Sequence, residues 1–189
     1  MAIGGTSQSG SSGGVSQGHK TSQVQSPAPD RQAVRTPPAK KAAPPPKDTF
    51  EAGPTNQRIK SAVVQLNPKG RYQAANGSTF CNRFAADYAN VLGDASLKNK
   101  TANQQFNHLN TPGSGYHKAT AAEAMQAAAQ GKIAFAAYQN PSGHGHIAAV
   151  VGQTAGKPAI AQAGKTNYDF VGVNYGFSKQ HAPSYFVHD

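Results

Sequence analysis

The apolar positions fall into two successive patterns after residue 59, while residues 1–54 show none. The first pattern is helical. Ser61-Ala-Val-Val-Gln-Leu66 is a short apolar run, closed by a turn signal at Asn67-Pro68-Lys69-Gly70. Residues 78–93 place Phe80, Phe84, Tyr88 and Val91 on one face at helical spacing, with Ser78 or Thr79 as the cap and Gly93 as the stop. On that wheel Cys81 points about a quarter-turn away from the apolar face, beside Asn82 and Arg83. Residues 101–110 read as a weaker helix capped by Thr101, and Thr120-Ala-Ala-Glu123 is a capping box opening an Ala-rich helix over 121–130. The second pattern is extended: apolar runs at 133–138, 146–152, 158–164, 170–176 and 184–189, separated by Gly, Pro, Asn and Ser, predict antiparallel hairpins. Helices followed by a run of strands predict an α+β domain.

Composition divides the chain. Residues 1–20 are mostly Gly, Ser, Gln and Thr, residues 26–47 are Pro-rich and basic, and every Tyr lies at or after Tyr72. Such segments carry too little apolar surface to offset the entropy of ordering them. Residues 1–54 therefore read as a disordered tail ending at Gly53-Pro54, and 55–189 as the folded domain. The domain is large enough to fold without a disulfide or a metal. The net charge of +10 splits into +4 over residues 1–49 and +6 over 50–189, which favours anionic partners. The basic residues are scattered, with no aromatic-rich basic motif, so no specific nucleic-acid partner is expected. No apolar run reaches the roughly 20 residues of a membrane span. The first residues lack the basic start and apolar stretch of a cleavable signal peptide, so export would need another route. As a spacer the tail needs no further role; as a Ser/Gly-rich start almost free of charge it is similar to the export addresses of bacterial type III effectors.

Chemistry concentrates in three places. Cys81 is the single cysteine, placed in the first turn of a helix, where unpaired N–H groups and the helix dipole favour an anion. Such a site lowers a thiol pKa and can stabilise an oxyanion; the plain alternative is a small buried apolar residue. Gly143-His144-Gly145-His146 precedes an apolar strand, so His146 sits on rigid backbone at an accessible edge, as a general base requires. His144 and His146 share a face, but no carboxylate or Cys-x-x-Cys lies near them in sequence, so no metal is expected. Gln162 on the next strand is placed to orient the imidazole, with Asn167 as the alternative; on an amphipathic strand it can also simply face solvent.

Together these residues carry a resemblance. Thr79-Phe80-Cys81-Asn82-Arg83-Phe84, then Gly145-His-Ile-Ala-Ala-Val-Val151, then a polar residue on the following strand, is similar to the CHAP-type and NlpC-type cysteine amidases and peptidases. The resemblance covers about residues 60–189. It implies a papain-like fold, with helices packed on an antiparallel sheet, and hydrolysis of amide bonds in the peptide part of peptidoglycan without a cofactor. It implies Cys81 as nucleophile, His146 as base and Gln162 as the third member, although many members carry an acid, Asn or His there. Tyr72 matches a tyrosine that NlpC-type members place near the oxyanion; Asn82, His144 and Asn167 complete the supporting set. It further implies a monomer acting on peptidoglycan or muropeptides in the periplasm or cell wall, as a phage lysin or an exported effector served by a secretion chaperone or an immunity protein. Two alternatives stand beside it: the same fold acting on host protein as protease, deamidase or acyltransferase, and a non-enzymatic basic binding module.

Overall fold

The computed structural model describes residues 56–189; the tail reading of residues 1–54 lies outside them. In chain order the elements are α1 (Gln57–Leu66), the single turn α2 (Pro68–Arg71), α3 (Cys81–Val91), α4 (Ala102–Leu109), β1 (Tyr116–Ala119), α5 (Ala121–Ala129), β2 (Ala134–Tyr138), β3 (His146–Thr154), β4 (Lys157–Gln162), β5 (Tyr168–Gly172) and β6 (Ser184–His188). Two 3-10 turns, Val173–Tyr175 and Lys179–His181, lie between β5 and β6. The class is α+β with one antiparallel sheet in the order β1-β6-β2-β3-β4-β5. Among the described residues no helix is long and apolar enough to cross a membrane.

Alternation along the strands explains the two layers of core. Ile147, Ala149 and Val151 of β3 face one side and pack with Ile59 and Val63 of α1, Phe84 and Tyr88 of α3 and Leu109 of α4. Ala148 and Val150 face the other side, with Ala124, Ala127 and Ala128 of α5, Ile160, Val171 and Phe177. The small alanines let α5 lie close to the strands. The predicted capping box of Thr120 with Glu123 opens α5, and the predicted cap Thr101 proves to form a second box with Gln104 at the start of α4. The C-terminal ends of α3 and α5 are joined by one side chain from α1. Arg58 donates to Leu92 O at 2.6 Å and to Gly131 O at 3.0 Å, satisfying two carbonyls that helix geometry leaves unpaired.

Several sequence-based expectations change in detail. The helix of Cys81 starts later than Ser78 or Thr79 and has Phe80 at its cap position, with no side-chain cap bond. The reason is a tight turn at Asn76-Gly77, both at positive φ, where Ala75 and Ser78 exchange backbone hydrogen bonds and hold Ser78 away from the helix. Val91 is 38 % exposed rather than on the core face. Cys81 points into the core, 5 % exposed, rather than a quarter-turn from it. The strand predicted at 170–176 is displaced to Tyr168–Gly172, and its second half winds into a 3-10 turn. β1 was not expected from the pattern; it is a four-residue edge strand whose partner, β6, begins 65 residues beyond its end.

Candidate active site

Cys81 is the first residue of α3, so the backbone N–H groups of Cys81 and Asn82 lie in the unpaired first turn and point at its sulfur. A third N–H, that of Ile147, reaches the sulfur from the start of β3. Ile147 N belongs to the peptide group that follows His146, so the thiol abuts the backbone of that histidine. Burial dominates the titration: it pushes the thiol pKa up, and the three N–H groups only partly offset this. The helix start therefore does not hold a thiolate in the resting protein, contrary to what position in the helix alone suggests. The first turn is braced from α4, where the fully buried Gln105 donates to Asn82 O at 2.8 Å and Leu97 O at 3.0 Å.

His146 opens β3 and pairs with Tyr138 at the end of β2. The β3–β4 register sets Ala149 opposite Ala161, so Gln162 at the end of β4 falls beside the start of β3, and Gly164 beyond it lies close to the His146 ring. The Gln162 oxygen Oε1 lies 2.6 Å from His146 Nε2. The direction of this bond follows from the other end of the amide. Gln162 Nε2 is 3.1 Å from the carbonyl of Thr166, which only accepts, so the amide NH2 faces Thr166 and Oε1 faces the ring. Oε1 also only accepts, so the neutral ring carries its proton on Nε2 and its lone pair on Nδ1. Burial lowers the His146 pKa and the Gln162 bond raises it by less. Phe177 covers the ring, its centroid 5.0 Å away.

The loop that delivers His146 is held by a residue the sequence reading did not single out. Asn103 on α4 accepts from Asn140 N at 3.0 Å and donates to Asn140 O and Gly143 O, both at 2.9 Å. Gly145 passes so close that a Cβ there would overlap Asn103 Oδ1 and stand 2.6 Å from Tyr138 O. A polar residue in a helix beside a Gly-rich loop gives no sequence signal of such a clamp.

The structure thus brings Cys81, His146 and Gln162 to one end of the sheet, where β3 begins and β4 ends. Among the described residues no hydrogen bond joins the thiol to the imidazole. The two side chains pack with different clusters, Cys81 with α1 and α3, and the ring of His146 on Phe177 of the opposite layer. Of the supporting residues, Tyr72 donates its hydroxyl to Asp87 Oδ2 at 2.6 Å, six residues beyond Cys81 on α3. Asn82 donates to Lys100 O at 2.8 Å. Asn167 accepts from Gly164 N and donates to Pro68 O and Tyr72 O, all at 2.9 Å, and so ties the β4–β5 loop to α2. His144 is exposed in the loop. Among the described residues no group of three or more His, Cys, Asp or Glu is placed to hold a metal ion.

No protein-family model matches this sequence, and no curated protein matches it. The functional reading rests on these side chains and their geometry.

Proposed function

We propose that the domain is a papain-like cysteine hydrolase that cleaves amide bonds in the peptide part of peptidoglycan, acting as a secreted effector or lysin. The observation that carries the reading is the His146–Gln162 pair at 2.6 Å, which leaves a lone pair on Nδ1 of a histidine whose own peptide group faces the Cys81 sulfur. The basic domain suits an anionic wall.

In this mechanism the resting pair is neutral, because burial raises the thiol and lowers the imidazole. The proton of Cys81 passes to Nδ1 of His146 as the sulfur attacks the substrate carbonyl carbon, so His146 acts as a general base during attack. That requires thiol and imidazole to close to about 3–3.5 Å in the substrate complex. The first-turn N–H groups of α3 stabilise the oxyanion. The C–N bond then breaks, and the leaving amine takes its proton from His146. Water, deprotonated by the same ring, attacks the thioester and releases the acid and the thiol. Gln162 keeps the ring in the tautomer that these steps need.

The test is incubation of the protein and its Cys81→Ala form with purified peptidoglycan, followed by mass spectrometry of the soluble fragments. New free amine and carboxyl ends should appear with the native protein alone. Identical fragment patterns from the two proteins would remove the reading.

A further inference from the structure

Gly176 lies just after the 3-10 turn Val173–Tyr175, with φ −102° and ψ −26°, a conformation open to any L residue. Backbone freedom does not explain a glycine there. Space does. A Cβ at 176 would overlap Gln162 Oε1 and stand 2.7 Å from Ile160 Cδ1 and 3.2 Å from Gln162 Cδ. The atom it would strike first is the oxygen that accepts the hydrogen bond of His146. The next residue, Phe177, is buried and packs on the His146 ring. The turn is held by its own hydrogen bonds, Gly176 N and Phe177 N both donating to Val173 O. The far end of the Gln162 amide is held on Thr166 O at 3.1 Å, so a retreat of Oε1 from residue 176 strains that bond as well as the one to His146.

We propose that Gly176 is a positioning residue: its bare α-carbon backs the Gln162 amide and so holds His146 in the tautomer with the proton on Nε2. The proposal rests on the pairing of His146 with Gln162 that underlies the hydrolase reading, but its main readout does not need hydrolysis. A methyl group at 176 pushes Gln162 Oε1, the atom it meets first, off His146 Nε2, and the ring then loses the partner that distinguishes its two nitrogens. Loss of the group that fixes the tautomer of a catalytic histidine lowers activity by up to about 10⁴-fold.

The experiment is a double-mutant cycle on the full chain with Gly176→Ala, Gln162→Ala and both, read by ¹⁵N NMR of the His146 ring nitrogens. In the native protein the proton should sit on Nε2. Gly176→Ala should move ring population toward the Nδ1–H form, and adding it to Gln162→Ala should change nothing further. Where amide hydrolysis is measurable, kcat/KM should fall in the same non-additive pattern. An unchanged tautomer in Gly176→Ala overturns the proposal, as does an effect that persists in full without Gln162. If Gly176→Ala alone fails to fold, the double variant decides, because deleting the Gln162 amide removes the shortest overlap and leaves only the tip of Ile160, a flexible end that can turn aside. A folded double variant supports the proposal, and an unfolded one overturns it. A native tautomer on Nε2 with no hydrolysis on peptidoglycan would leave Gly176 in its role and remove only the hydrolase reading.

Discussion

The sulfur of Cys81 meets the backbone N–H of Ile147, not the ring of His146, and it does so in a site where burial outweighs every group that favours an anion. A helix N-terminus is therefore not sufficient to make this thiol a thiolate at rest. Iodoacetamide labelling should follow. In the folded protein it should be slower at pH 7 than in an unfolded control, and should accelerate only at alkaline pH, above the ordinary thiol range. Labelling at pH 6 faster than free cysteine would show an ion pair that the resting geometry does not contain.

The pH dependence of activity carries a definite sign. His146 must be neutral to accept the thiol proton, and burial lowers its pKa from the usual 6.5. The acid limb of kcat/KM should therefore lie below pH 6.5, with a plateau through neutrality. Gln162→Leu removes a bond that raises the imidazole pKa while keeping the site dry. The acid limb should then move further down while the plateau falls by up to about 10⁴-fold. A plateau that falls with the acid limb moving up would mean that water had replaced the amide.

Two histidines make the fold itself sensitive to acid. His146 and His108 both have folded pKa values depressed by burial, His108 with a further push from Lys100 that Asp94 opposes. The unfolded chain takes up protons near pH 6.5 that the folded protein refuses, so their stabilisation is complete above that pH and is lost as pH falls through it. The melting temperature should drop between pH 7.5 and 5.5, and His108→Gln should flatten the slope. Asp94 is also depressed, but from the usual 3.8, so its loss belongs to much lower pH.

Arg58 is remote from the chemistry and offers a stability test. Arg58→Met leaves the carbonyls of Leu92 and Gly131 without their charged donor, at a cost of about 1–3 kcal/mol. A fall in melting temperature of roughly 4 °C per kcal/mol is expected for a domain of this size. The Cys81 labelling rate in the native state should stay unchanged.

Much of the site was legible because it lies on regular elements. The apolar run after Gly145 placed His146 at a strand start, and the next apolar run placed Gln162 beside it, so their pairing needed only the sheet to form. The α+β order, the Thr120–Glu123 capping box and the Thr101 cap were legible for the same local reason. The start of α3 was not, because the Asn76-Gly77 turn takes Ser78 out of the cap, and a wheel drawn from Phe80 then misjudges the faces of Cys81 and Val91. β1 escaped notice because Tyr116-His-Lys-Ala119 has no pattern of its own and owes its conformation to distant β6. Gly176 and Phe177 follow a 3-10 turn and Asn103 sits on a polar helix, where local sequence does not announce what a residue will touch.

The strand order has a consequence for how the molecule assembles and opens. β2, β3 and β4 are neighbours in sequence, so the part of the sheet that holds His146 and Gln162 closes through short connections. β6 must travel back to enter between β1 and β2, pairing Tyr116 with His188 across most of the domain. Such long closures come late and are the first to be undone when stability falls. In native-state hydrogen exchange β1 and β6 should open as one unit while β3 and β4 remain protected, so the imidazole and its amide partner stay paired in a protein that has already lost one edge of its sheet.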